Sequence, residues 1–86
     1  MTIIFYGSVQ EYTFKEKSLA ISYTQSIRTL IDLLGKRFGA RFREFLLGDN
    51  NCFFLINGKG IMTIGGLDAP LHEEDTVEIL PFVDAG

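Results

Sequence analysis

The sequence predicts an α+β fold, a mixed sheet of four to five strands packed on one main helix. Three observations predict it. Strand-like runs stand near both ends of the chain, at Thr2 to Tyr6 and at Thr76 to Leu80. Between them Ile27, Leu30, Ile31, Leu34 and Phe38 recur at helical spacing, with Arg28, Asp32, Lys36 and Arg37 mostly off that stripe. Farther on, the apolar run Cys52 to Ile56 meets Asn57-Gly58, the strongest short hairpin signal because both central positions of the turn need positive φ. A single sheet clasping one helix accounts for this order.

Taken in sequence, Thr2 to Tyr6 is β-branched and aromatic, which predicts a strand buried on both faces and ended by Gly7. Ser8 to Lys17 reads as a connector in which Val9 and Tyr12 share one short helical turn. Leu19, Ile21 and Tyr23 alternate with Ala20 and Ser22, the period of a half-buried second strand. Ser26 is placed to cap the helix, Gly39 to stop it, and Gly35 weakens its last turn. Phe42, Phe45 and Leu46 predict a second short helical piece, closed by the turn Gly48-Asp49-Asn50-Asn51. Gly60 to Ile64 is the expected returning strand of the hairpin. Gly65-Gly66 marks a bend, and Leu67 and Leu71 lie in a loop that can plug the core. His72-Glu73-Glu74-Asp75 is expected to be an exposed turn, and Pro81 to stop the last strand. The organisation is one domain, residues 1–80, followed by a flexible C-terminal tail, 81–86.

Eighty-six residues suffice for one core, and an apolar content of 47% is adequate to fill it. Cys52 is the only cysteine, so neither an internal disulfide nor a zinc site is expected and a reducing, cytoplasmic setting fits. There is no signal-peptide pattern and no apolar run of membrane-spanning length. Charge is uneven. Arg28, Lys36, Arg37, Arg41 and Arg43 make the middle basic, whereas after Lys59 only acids carry charge: Asp68, Glu73, Glu74, Asp75, Glu78 and Asp84. Such an acidic end suits either steering toward a basic pocket on a protein partner or simple solubility.

In a sheet covered by a helix on one face, Phe53 and Leu55 point opposite to Cys52, Phe54 and Ile56. One set needs other cover, supplied either by a protein partner on an open docking face or by loops that plug it.

No internal residue set points to catalysis by this chain alone. His72 lies in an acidic turn with no nucleophile near it in sequence, and Cys52 opens an apolar strand. Glu73, Glu74 and Asp75 are adjacent rather than spaced as chelating ligands, so no metal is expected. The glycines at 58 to 60 and 65 to 66 lack the lysine and the following helix of a phosphate loop. The basic stretch Lys36 to Arg43, beside Phe38 and Phe42, is explained by helical packing and does not predict nucleic-acid binding. What remains is the tail Pro81-Phe82-Val83-Asp84-Ala85-Gly86. A terminal glycine has no Cβ, so its carboxylate can pass a narrow channel and meet an activating group.

Four stretches carry a resemblance over essentially the full length. They are Ile3 through Glu11, the helix from Ile27, the Phe54-Leu55-Ile56-Asn57-Gly58 hairpin, and Leu67 through Leu71 running on to Asp75-Thr76-Val77-Glu78-Ile79 and Pro81. Together with Gly86 they resemble the ubiquitin-like β-grasp sulfur carriers, the family of the molybdopterin synthase small subunit (MoaD) and the thiamine sulfur carrier (ThiS). The resemblance implies that an ATP-dependent activating enzyme adenylates the Gly86 carboxylate and that sulfur transfer leaves a thiocarboxylate. The chain itself would bind no cofactor, the ATP being used by the activating partner. It further implies donation of sulfur in molybdopterin synthesis for molybdenum or tungsten cofactor, with the tail entering the synthase large subunit and Phe82, Val83, Asp84 and Ala85 as threading contacts. Five residues beyond Pro81 reach roughly 17 Å when extended. The family usually ends Gly-Gly and often carries Pro-Pro, whereas this chain has Ala85 before Gly86 and Pro81-Phe82. The alternatives are a protein modifier conjugated through Gly86, and a β-grasp binding module with an inactive tail.

Overall fold

In the computed structural model, which describes residues 1–22 and 24–82, five strands and two helices appear in the order ββααβββ. The strands are β1 (Thr2–Phe5), β2 (Ser18–Ala20), β3 (Cys52–Ile56), β4 (Lys59–Gly60) and β5 (Thr76–Pro81); the helices are α1 (Ile27–Phe38) and α2 (Ala40–Leu47). They form one sheet of order β2-β1-β5-β3-β4. The β1–β5 pair is parallel and the others antiparallel, so the first and last strands lie side by side within the sheet. This is the ubiquitin-like β-grasp arrangement.

The apolar stripe of α1 folds as expected, with Ile27, Leu30, Ile31 and Leu34 buried. Ser26 and Thr29 make a reciprocal capping box at its start. The helix runs through Gly35 and ends at Gly39, whose φ of 115° is open to glycine and strained for other residues. Against α1 pack Ile3 and Phe5 of β1, Phe54 and Ile56 of β3, and Val77 and Ile79 of β5. Phe42 and Leu46 bring α2 into the same core. Tyr12 stacks on Phe42 and Phe45, with centroids 5.4 and 4.6 Å away, which ties the first connector to α2. Leu71, 2% exposed, plugs the core from its loop, and Leu67 packs more loosely against it.

Several expectations are corrected. β1 is buried on one face only: Ile3 and Phe5 are buried, Ile4 is half-buried and Thr2 exposed. It has neighbours on both edges, but the helices cover just one side of the sheet. The second strand is Ser18–Ala20 and stops before Ile21, while Tyr23 of the expected alternation lies outside the described residues. Leu19 and Ile21 both pack on the core, yet Ile21 is held by hydrogen bonds to Met1 outside the ladder. The returning hairpin strand is only Lys59–Gly60, after which Ile61–Thr63 forms a 3-10 turn. There the Thr63 hydroxyl donates to the Gly60 carbonyl at 2.9 Å, a local bond that competes with the ladder. β5 includes Pro81, paired with Cys52, because a proline at a strand end forfeits little. The turn at 72–75 is not wholly exposed, since Asp75 is only 9% exposed.

Candidate functional site: the root of the tail and the open sheet face

The hairpin turn has Asn57 at φ 51° and Gly58 at φ 85°, the positive pair that the dipeptide predicts. Asn57 then does more than turn the chain. Its Nδ2 donates to Asp75 Oδ1 at 2.8 Å, and its Oδ1 accepts from the Thr76 N–H at 2.9 Å. Asp75 Oδ2 accepts from the His72 N–H at 2.8 Å. Burial by itself would raise the Asp75 carboxyl, but the hydrogen bonds from Asn57 and His72 outweigh it and hold the group below its ordinary value. This clasp starts β5 in register beside β3.

Pairing with β3 then carries β5 to the tail. The register sets Phe53 opposite Leu80 and Leu55 opposite Glu78, while Ile4 of β1 lies on the other side of Glu78. All five belong to the face away from the helices. Phe53 is 48% exposed and Leu55 half-buried. The loop leucine Leu71 goes to the helix side, so it gives this face no cover. The centre of the open face is therefore apolar, with one acid. Glu78 accepts a 2.6 Å hydrogen bond from the Tyr6 hydroxyl, which raises the phenol above its ordinary value.

At the end of β5 the Phe82 N–H donates to the Asn51 carbonyl at 3.0 Å, and the Phe82 ring packs on Phe53. A groove of about 450 Å³ runs beside this point, lined by residues that include Leu47, Cys52, Phe53, Met62 and Phe82. Burial pushes the Cys52 thiol up to about 11, so it is a packing group and a poor nucleophile. Of the site residues expected from sequence, the structure brings Phe53 and Phe82 together at the end of β5, with Leu55 farther along the same sheet face. Val83, Asp84, Ala85 and Gly86 lie outside the described residues.

The sequence places Asn51 and Asp75 in turns but does not show their contacts with Phe45 and Asn57. Asn51 sits in a turn rich in polar residues, and Asp75 in an acidic run; only contacts with distant residues separate them from their neighbours. Among the described residues no group of three potential metal ligands occurs, and no helix is long and apolar enough to cross a membrane. Two of the mid-chain cations are engaged within the fold, Arg28 with Asp68 and Arg43 with Asp32, and Arg37 lies over the Phe38 ring.

The family model for the ThiS family matches residues 3–86, from the start of β1 through the tail. The chain belongs to the ThiS family. Among solved structures, the ThiS-family chain is similar to CysO of Mycobacterium tuberculosis, with a TM-score of 0.82 and 20% identity over 95% of this chain and 98% of that one. It is similar to a chain of the Amycolatopsis orientalis BexX/CysO complex, with a TM-score of 0.80 and 23% identity, covering 99% of this chain and 98% of that one. Urm1 of Trypanosoma brucei gives a TM-score of 0.77 and 25% identity, covering 99% of this chain and 93% of that one. No curated protein sequence matches it. Membership of the ThiS family makes this chain one of the small sulfur-carrier and ubiquitin-like proteins, non-catalytic by itself.

Proposed function

We propose that this ThiS-family chain is a sulfur carrier whose working group is the carboxylate of Gly86. The observation that supports it is the family match continuing through residue 86, on a fold whose last strand ends beside an exposed apolar corner. A carboxylate is a poor acyl donor because its oxygen is a poor leaving group. Attack of that oxygen on the α-phosphorus of ATP, with loss of pyrophosphate, gives an acyl adenylate. Sulfide supplied by the activating system then attacks the acyl carbon, displaces AMP and leaves the thiocarboxylate. The ATP and the catalytic side chains belong to the activating enzyme. The carrier contributes a narrow glycine end and a surface to dock.

Phe53 and Leu55 are the proposed docking contacts for that enzyme, with Phe82, Val83, Asp84 and Ala85 threading behind Gly86. The proposed destination of the sulfur is molybdopterin, through the synthase large subunit or an equivalent acceptor. Conjugation through Gly86 is the second reading, favoured by the likeness in fold to the small archaeal modifier protein 1 of Methanosarcina acetivorans, with a TM-score of 0.76 and 23% identity.

The deciding experiment is intact mass spectrometry of the protein purified from its own host. An oxygen-to-sulfur exchange on the C-terminal peptide supports the carrier; an unmodified carboxylate in cells that contain the activating enzyme rejects it. Replacing Gly86 with a bulky residue, or adding one residue after it, should abolish the exchange. Isopeptide-linked Ala85-Gly86 remnants on lysines of digested cell protein would instead establish the modifier.

A further inference from the structure

Asn51 joins the end of α2 to the root of the tail. Its side-chain Nδ2 donates to the Phe45 carbonyl at 3.0 Å, which also accepts from the Gly48 N–H at 3.2 Å, so that two donors close the last turn of the helix. Its own carbonyl accepts from the Phe82 N–H at 3.0 Å, one residue past the final ladder pair Cys52–Pro81. The side chain has this seat because residue 48 is glycine: a Cβ there would overlap Asn51 Nδ2 and drive it from the Phe45 carbonyl. One residue thus pins the 48–51 turn to the helix and the tail root to the turn.

The geometry matters because the tail is short. Phe82 is held at its backbone by Asn51 and at its ring by Phe53, whose centroid is 5.0 Å away. Four residues from there to Gly86 span at most about 14 Å when fully extended. A root that is loose in the free chain must be ordered when a partner takes up the residues beyond it, and that cost falls on binding.

We infer that Asn51 is a positioning residue for the tail, fixing the point and direction from which Gly86 is presented to a partner enzyme. The inference rests on the carrier reading for its purpose, and on the two hydrogen bonds of Asn51 for its mechanism.

Two variants of the full chain test it by independent routes. Asn51→Ala removes the amide that pins the turn, and Gly48→Ala evicts it. Amide hydrogen exchange by NMR reads the Phe82 N–H, with amides at the centre of β5 as the internal reference. Exchange at Phe82 should quicken by about tenfold in both variants, as expected for a lost hydrogen bond, with the reference amides unchanged. Thiocarboxylation by the host's activating enzyme should then show a raised KM for the chain and an unchanged kcat. Unchanged exchange at Phe82 in both variants overturns the inference, as does quickened exchange with an unchanged KM. A wild-type chain that the enzyme leaves unmodified instead overturns the carrier reading and the purpose given to the clamp, while the exchange data still decide whether the clamp exists.

Discussion

The ring of Phe82 lies 5.0 Å from that of Phe53 and is inclined to it by 35°. The two are diagonal neighbours, since Phe53 pairs with Leu80 across the β3–β5 ladder and Phe82 stands two residues farther on. Neither ring is buried; they are 48% and 45% exposed. They share an apolar surface at the point where the tail leaves the sheet.

That sharing separates stability from binding. Phe53→Ala or Phe82→Ala should cost no more than about 1 kcal/mol of folding stability, because each ring already faces water. Loss of affinity for the activating enzyme should exceed about 2 kcal/mol for Phe53→Ala if the corner is the centre of the interface. Chemical denaturation and calorimetric titration of the same variants check both halves. Equal affinity in wild type and variant would reject the docking role.

Leu71 presents the opposite case. It comes from a loop yet is 2% exposed in the core, at the start of α1. There the Leu71 N–H donates to the Gln25 carbonyl and the Ile27 N–H to the Ala69 carbonyl. Leu71→Ala should destabilise the fold by about 2–4 kcal/mol through lost burial and a residual cavity. Leu67→Ala, from a partly buried site, should cost less in the same denaturation series.

The Asp75 clasp predicts a pH dependence with a definite sign. Its carboxyl is held below its ordinary value in the folded state. The charged form therefore favours folding, and the contribution is present above the unfolded value of about 4 and lost as pH falls through the folded value. Asp75→Asn sets a donor amide against the His72 N–H or against Asn57 Nδ2. It should cost about 1–3 kcal/mol at neutral pH and flatten the acid limb of the stability profile. Thermal melts from pH 7 down to about pH 3 read both effects.

Cys52 should be slow to alkylate. With its thiol pushed up to about 11 by burial, little thiolate exists near neutral pH. Iodoacetamide labelling at pH 8 should be far slower for the native chain than for the denatured one. Equal rates would show that β3 opens readily at its first residue.

Ala85 poses a question that the tail answers chemically. Ala85→Gly gives the Gly-Gly ending and removes a methyl from the segment proposed to thread the activating enzyme. The rate of thiocarboxylation should rise, read as the fraction of chain carrying sulfur over time. A fall would mean that the channel is shaped for alanine.

Local features were legible in the sequence where neighbours supply the forces. The α1 stripe, the Ser26 cap, the Asn57-Gly58 turn and the two-faced β3 all appear as expected. The errors fall where local and distant forces compete. The apolar character of Thr2 to Tyr6 suggested burial on both faces, but the helices cover one. Gly60 to Ile64 has strand composition, but the Thr63 hydroxyl claims the Gly60 carbonyl.

By itself the sequence determined the main kinds of element, their order and the two-faced character of β3. Each of these follows from periodicity, turn chemistry or composition within a few residues. Only the tertiary structure decided that β1 and β5 lie parallel within the sheet. It also decided that Asp75 turns inward to Asn57, and that Asn51 and Phe53 meet Phe82 at the tail root. Those contacts join residues from 18 to more than 70 positions apart. Their energies depend on strand order and register, which no short stretch encodes and which the whole core selects by burying one face of the sheet.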